Sequence, residues 1–279
     1  MPQPTSTVAS FGERAVAAGR ERGRLCVGID PHPQLLEAWG LTVDVDGLRT
    51  FTMTCVEAFA DTAAMVKPQV AFFERFGSRG FAVLEDALDA LREQGCLSLA
   101  DAKRGDIGST MAGYADAWLG ESSPLRADAV TVSPYLGVGA LNPVFDLAEA
   151  TGRGVFVLAA TSNPEAVALQ SLSVDGRSVA QHVVDELAVR NTAAGAAVGA
   201  LGVVVGATLD TPPELDQLNG PVLLPGVGAQ GATPDDVRTL TAAAPELGFA
   251  NVSRAILSHG PQVADLRESV ISTAAEFRD

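Results

Sequence analysis

The chain has 279 residues, 47% of them hydrophobic, and a formal net charge of −15 at neutral pH. That length allows one large domain or two small ones, with ample apolar material for a core. The acidic balance argues against a nonspecific nucleic-acid or anionic-membrane surface, while leaving room for a local positive pocket.

Residues 1–10 read as a frayed terminus and lack the apolar stretch of a signal peptide. Phe11 to Glu21 reads as a short amphipathic helix. Leu25 to Ile29 is an apolar strand ending at Asp30, and Pro31 and Pro33 stop any regular element there. Val45 to Asp61 has helical period, and Ala63 to Val66 is a strand ending just before Lys67. Phe81 to Gln94 is a helix closed by Gly95, with Val83, Leu84, Ala87, Leu88 and Leu91 on one face. Leu97 to Ala100 is the third strand and Ile107 to Leu119 the next helix.

The alternation continues with strand Ala129 to Val132, helix Ala140 to Ala150 and strand Val155 to Ala159. Ser178 to Ala197 is a long helix, Gly202 to Val205 a strand and Pro213 to Leu218 a short helix. Val222 to Leu224, then helix Pro234 to Ala243 behind a Thr233 cap, then Phe249 to Val252 and helix Pro261 to Glu276 complete the pattern. The strands are short and apolar throughout, as in parallel sheets buried on both faces. Eight strand–helix units predict a single (β/α)8 TIM barrel over residues 1–279. An open doubly wound sheet is the competing fold. It would want a glycine-rich dinucleotide loop after the first strand, and Gly28 and Gly40 do not make one. Residues 163–176 form an insertion after the fifth strand, long enough for a flap.

Three cysteines, Cys26, Cys55 and Cys96, are widely spaced and form no Cys-x-x-Cys pair. They are expected to be buried thiols in a reducing cytoplasm. The well-separated histidines His32, His182 and His259 give no metal-binding spacing, and no apolar run is long enough to span a membrane.

Positive charge is distributed unusually. Seventeen arginines stand against two lysines, Lys67 and Lys103, and each lysine follows an apolar strand. An ammonium can donate or lose a proton, whereas a guanidinium stays charged. In a barrel the C-terminal strand ends converge on one rim. The polar residues there are Asp30, Lys67, Asp101, Lys103, Ser162, Gln230 and Arg254. Asp101 and Lys103 share a strand face, and Asp106 follows on the next loop. An alternating Lys-Asp-Lys-Asp array would keep Lys103 protonated and fix its donors. A structural salt-bridge network is the other reading of the same residues. Pro225-Gly-Val-Gly-Ala-Gln-Gly231 follows the seventh strand, and Arg254 follows the eighth. Together they suggest a phosphate site built from close-approaching backbone and a bidentate guanidinium. Tyr135, after the fourth strand, fits either pocket lining or loop packing.

The run Asp101-Ala-Lys-Arg-Gly-Asp-Ile-Gly-Ser-Thr110 resembles the signature of the orotidine 5'-phosphate decarboxylase family. Val27-Gly-Ile-Asp-Pro31, Val66-Lys-Pro-Gln69, Ala71-Phe-Phe-Glu74, Thr161-Ser-Asn-Pro164, Pro225-Gly-Val-Gly-Ala-Gln230 and Ser253-Arg254 follow in family order. The resemblance covers about residues 12–270 and looks like the longer actinobacterial branch. It implies a homodimeric barrel with shared active sites, no metal and no organic cofactor, converting orotidine 5'-phosphate to UMP and carbon dioxide.

By the same resemblance, Lys103 protonates C6 as the carboxylate leaves, and Asp101 lies beside that carboxylate. Asp106, Ile107 and Thr110 reach the partner subunit's site. Asp30 and Lys67 hold ribose hydroxyls, Ser162 meets the pyrimidine amide edge, and Gln230 and Arg254 bind phosphate. No phosphate-gripping side chain matches in residues 207–220, so the insertion is the candidate flap. A magnesium-dependent sugar-phosphate lyase of the hexulose-phosphate synthase type is the alternative on this scaffold.

Overall fold

Eight parallel strands close on themselves in the computed structural model, which describes residues 9–228 and 230–278. They are β1 (Leu25–Ile29), β2 (Met65–Pro68), β3 (Leu97–Arg104) and β4 (Ala129–Val132), then β5 (Gly154–Ala160), β6 (Leu201–Val205), β7 (Val222–Pro225) and β8 (Gly248–Val252). Each pairs with its sequence neighbours, and β8 returns to β1 with Leu25 opposite Ala250 and Val27 opposite Val252. Helices surround the ring, so the fold is the expected (β/α)8 barrel.

Strand alternation sorts the side chains into two cores. Cys26, Met65, Leu97, Leu99, Ala129, Phe156, Val204, Leu223 and Phe249 point inward and fill the barrel. Their neighbours Val27, Val66, Ala100, Val130, Val157, Val203, Leu224 and Ala250 point outward and pack under the helices. Burial on both faces is why these strands read as continuous apolar runs.

The helix Phe11–Arg22 closes the bottom of the barrel. Ser10 caps it, accepting from the Glu13 N–H while the Glu13 carboxylate accepts from the Ser10 N–H. Ser10, expected to be frayed, is thus held in place; residues 1–8 of that expectation lie outside the described residues. Phe11 is fully buried and meets the Phe156 ring edge-on, with centroids 5.8 Å apart. At Gly154 an added Cβ would come within 2.4 Å of the Phe11 ring, so the glycine makes room for the plug.

Several boundaries move. β2 begins at Met65, two residues after Ala63, because pairing with β1 sets Cys26 opposite Met65. β3 continues through Arg104 instead of stopping at Ala100. Among the described residues the predicted helix Pro213–Leu218 is absent. Pro212 and Pro213 remove two backbone donors. The Glu214 N–H donates to Gln181 Oε1 and the Leu218 carbonyl accepts from Asn191 Nδ2, so backbone groups are taken by side chains of the helix Val179–Ala194. The insertion at 163–176 has structure of its own: a helix at Val167–Gln170 and a ribbon pairing Ser173 with Ser178. No helix among the described residues is long and apolar enough to cross a membrane.

Phe11→Ala should lower unfolding free energy by about 3–5 kcal/mol, the usual cost of emptying an aromatic site in a packed core. Urea denaturation measures this, and a shift below about 1 kcal/mol would show that Phe11 does not plug the barrel.

Candidate active site

Above the apolar filling of the barrel lies a polar layer from the same inward-facing positions. Asp30 follows β1, Lys67 sits within β2, and Asp101 and Lys103 lie on β3. Lys67 is only 3% exposed and Asp101 only 7%. Lys67 Nζ donates to Asp101 Oδ2 at 2.9 Å and lies 3.9 Å from Asp30 Oδ1. Lys103 Nζ donates to Asp101 Oδ1 at 2.5 Å and reaches Gln69 Oε1 at 3.5 Å. Three neighbouring strands thereby build an alternating run, Asp30, Lys67, Asp101, Lys103.

Opposing effects set the protonation states. Burial alone would push the Asp101 carboxyl up, but the Lys67 and Lys103 ammonium groups outweigh it and hold Asp101 well below the usual carboxylate range. Burial alone would pull Lys67 down, yet Asp101 and Asp30 keep it above the ordinary lysine value. Both groups are therefore charged at neutral pH. Below them Cys26 is free and buried, and burial pushes its thiol up to about 12. It is an inert packing group, as are Cys55 and Cys96.

The loops after β7 and β8 face this array across a cavity of about 280 Å³. Asp30, Lys67, Asp101, Lys103, Gln230 and Arg254 all line it. Gly226 and Gly228 have φ of 107° and 72°, a left-handed course that favours glycine, and they carry the β7 loop around its edge. Gly28 lets β1 lie against the β8 loop, since a Cβ there would sit 1.9 Å from Ser253 Oγ. Arg254 is exposed, and among the described residues no carboxylate pairs with it. Ser162 is not among the residues lining the cavity, but its Oγ donates to Oε1 of the lining Gln230 at 2.9 Å, joining the β5 and β7 loops. A larger cavity of about 560 Å³ opens beside this one, between the insertion and residues 209–214, with Thr161 on the wall of both.

A fixed ammonium, a buried carboxylate and an unpaired guanidinium around one small cavity suit an anionic, phosphate-bearing substrate. Among the described residues no group of three His, Cys, Asp or Glu side chains is placed to hold a metal ion. The sequence profile of the orotidine 5'-phosphate decarboxylase / HUMPS family matches residues 23–269. The chain belongs to that family.

Bacterial relatives align with it over nearly the whole of both chains. It is 63% identical over 271 residues to the orotidine 5'-phosphate decarboxylase of Corynebacterium efficiens, covering 96% of this chain and 97% of that protein. The Corynebacterium glutamicum (strain R) enzyme is 60% identical, covering 96% of this chain and 98% of that one. Among solved structures, a Streptomyces avermitilis chain described as an orotidine 5'-phosphate decarboxylase superposes with a TM-score of 0.91 at 50% identity, covering 100% of this chain and 98% of that one.

Not every residue expected at a decarboxylase site gathers there. Within one chain, Asp106 Oδ1 accepts from the Ile107 N–H at 2.8 Å and does not join the array. Ile107 is 61% exposed, and Thr110 is exposed on the same turn. Tyr135, 76% exposed, does not line the cavity, nor does any histidine. Sequence reasoning passes over Gln69, Thr131 and Asn251. Gln69 and Asn251 line the cavity, and the fully buried Thr131 donates its hydroxyl to Asp101 Oδ1 at 2.9 Å. Thr131 had a signal: it is the lone polar side chain in Ala129-Val-Thr-Val132.

Asp101→Asn leaves two ammonium groups without their shared carboxylate. It should destabilise the protein by about 3–5 kcal/mol at neutral pH, as expected when one partner of a buried pair is removed. Because the folded value of Asp101 is depressed below its ordinary 3.8, its contribution is fully present above that value and is lost as pH falls through the folded one. The gap between wild type and variant in urea unfolding should therefore narrow as pH is lowered from about 5 to about 2. A gap that stays constant would count against this pairing.

Proposed function

We propose that this chain is a cytoplasmic, homodimeric enzyme that decarboxylates orotidine 5'-phosphate to UMP and carbon dioxide, using side chains alone. The observation that carries the reading is the Lys103 ammonium, braced by Asp101 inside a cavity whose far rim presents the unpaired Arg254. Substrates of the named relatives agree with it.

Loss of carbon dioxide breaks the C6–carboxylate bond and leaves its electron pair on C6. No ring position delocalises that pair well. Lys103 stabilises the developing charge and then transfers an Nζ proton to C6, forming UMP. Its position is set before the reaction, so no solvent has to reorganise. Asp101 lies beside the substrate carboxylate, keeps Lys67 charged and braces the Lys103 Nζ. Lys67 and Asp30 bind ribose hydroxyls; the buried Asp30 Oδ1 has no hydrogen-bond partner among the described residues and suits a hydroxyl donor. Ser162 meets the pyrimidine amide edge, while Gln230 and Arg254 bind phosphate. That remote grip assists catalysis where its binding energy appears in the transition state.

Asp106, Ile107 and Thr110 complete the site of a second copy. Their standing clear of their own cavity supports this, as does the exposed apolar pair Tyr135 and Leu136. A magnesium-dependent lyase would need carboxylates open to a cation, whereas Asp30 and Asp101 flank the Lys67 ammonium.

Ultraviolet absorbance of orotidine 5'-phosphate should fall on adding purified protein, with or without chelator. Lys103→Ala should lower kcat by at least about a thousandfold, given the role of a positioned donor in both charge stabilisation and proton transfer, while UMP binding persists. Wild-type turnover by that variant would rule out the assignment. Mixing inactive Lys103→Ala and Asp106→Ala proteins should restore activity, since a hybrid dimer contains one unaltered site. No recovery despite proven subunit exchange would overturn the shared-site arrangement.

A further inference from the structure

β3 does not run evenly beside β4. The strands pair at Ala100–Val130 and next at Arg104–Val132, so β3 advances four residues while β4 advances two. The surplus is a bulge formed by the residues around Asp101 and Lys103. Bulges near active sites re-aim side chains at the expense of ladder hydrogen bonds. Here Lys103 also takes φ of 49°, the left-handed region that side chains other than glycine rarely occupy. Such a conformation persists only where surrounding contacts enforce it.

One hydroxyl supplies two of those contacts. Thr131 lies on β4 opposite the bulge and is fully buried. Its Oγ1 accepts from the Lys103 backbone N–H at 2.9 Å, filling the place of a lost ladder partner. The same oxygen carries a single proton, which it donates to Asp101 Oδ1 at 2.9 Å. Asp101 Oδ1 also accepts from Lys103 Nζ, and Oδ2 accepts from Lys67 Nζ. Thr131 thus grips the backbone of the proton donor and the carboxylate that braces its side chain.

We infer that Thr131 is a positioning residue, holding Lys103 in the conformation that aims its ammonium into the cavity. The inference rests on the decarboxylase reading and extends it to a residue that never meets substrate. Valine matches threonine in shape but has no hydroxyl, so it leaves the Lys103 N–H unpaired and loosens Asp101. Serine keeps the hydroxyl and drops only a methyl group.

The test compares wild type, Thr131→Val and Thr131→Ser by orotidine 5'-phosphate turnover, UMP titration and thermal unfolding. Thr131→Val should lower kcat about 10- to 100-fold, the effect of losing a hydrogen bond to a charged group. Its Kd for UMP should stay within about threefold of wild type, because phosphate and ribose contacts are untouched. Thr131→Ser should recover kcat to within about threefold of wild type. If the valine variant does not fold, Thr131→Ala carries the same expectation without a methyl group against Asp101. Unchanged kcat in a folded variant lacking the hydroxyl, or a serine variant as impaired as valine, would overturn the inference. A wild-type protein with no turnover would instead overturn the decarboxylase reading beneath it.

Discussion

A buried carboxylate needs a partner in nearly every direction, and Asp101 has them. Two ammonium groups and one hydroxyl converge on its two oxygens. Remove them and a charge in this environment would be neutralised or expelled. Because the partners come from β2, β3 and β4, the pairing works only in one strand register. The apolar filling beneath supplies that register: Cys26, Met65, Leu99, Ala129 and their neighbours turn the alternate positions above them toward the axis. The core and the charged layer are in this sense two storeys of one alternation.

The two sides of the cavity differ in physical character. The array side is mutually braced, with Lys67 and Asp101 nearly buried and Lys103 open to the cavity. The opposite side is built from glycine-bearing loops and the exposed Arg254. This division fits the proposed roles. A group that stabilises developing charge gains from being fixed beforehand. A group that captures a solvated dianion gains from exposure and reach. The Ser162–Gln230 hydrogen bond links the β5 and β7 loops. Next to it, the second cavity leaves open space under the insertion that follows β5.

Much of this was legible from residue order. The eight apolar runs, the two lysines and the polar residues at strand ends all led to the barrel rim. What was lost followed particular causes. Ala63 and Ala64 are as apolar as Met65 and Val66, so nothing local sets where β2 begins; pairing with β1 does. Pro213–Leu218 resembles a helix start, but its backbone groups are claimed by Gln181 and Asn191, 33 and 27 residues upstream of the groups they bind. Thr131 was passed over: it is a hydroxyl in an apolar strand, but its role depends on a bulge in another strand.

Sequence alone determined the class of fold and the inventory of chemical groups, because periodicity and residue type are local properties. It also carried the family, through motifs spread in a constant order. Only the tertiary structure decided that Lys67 lies inside its strand and beneath the rim, that Lys103 is bent into a left-handed conformation, and that Asp106 stands apart from its own chain's array. Those outcomes depend on register between strands, and register is set by contacts between residues that are distant in sequence.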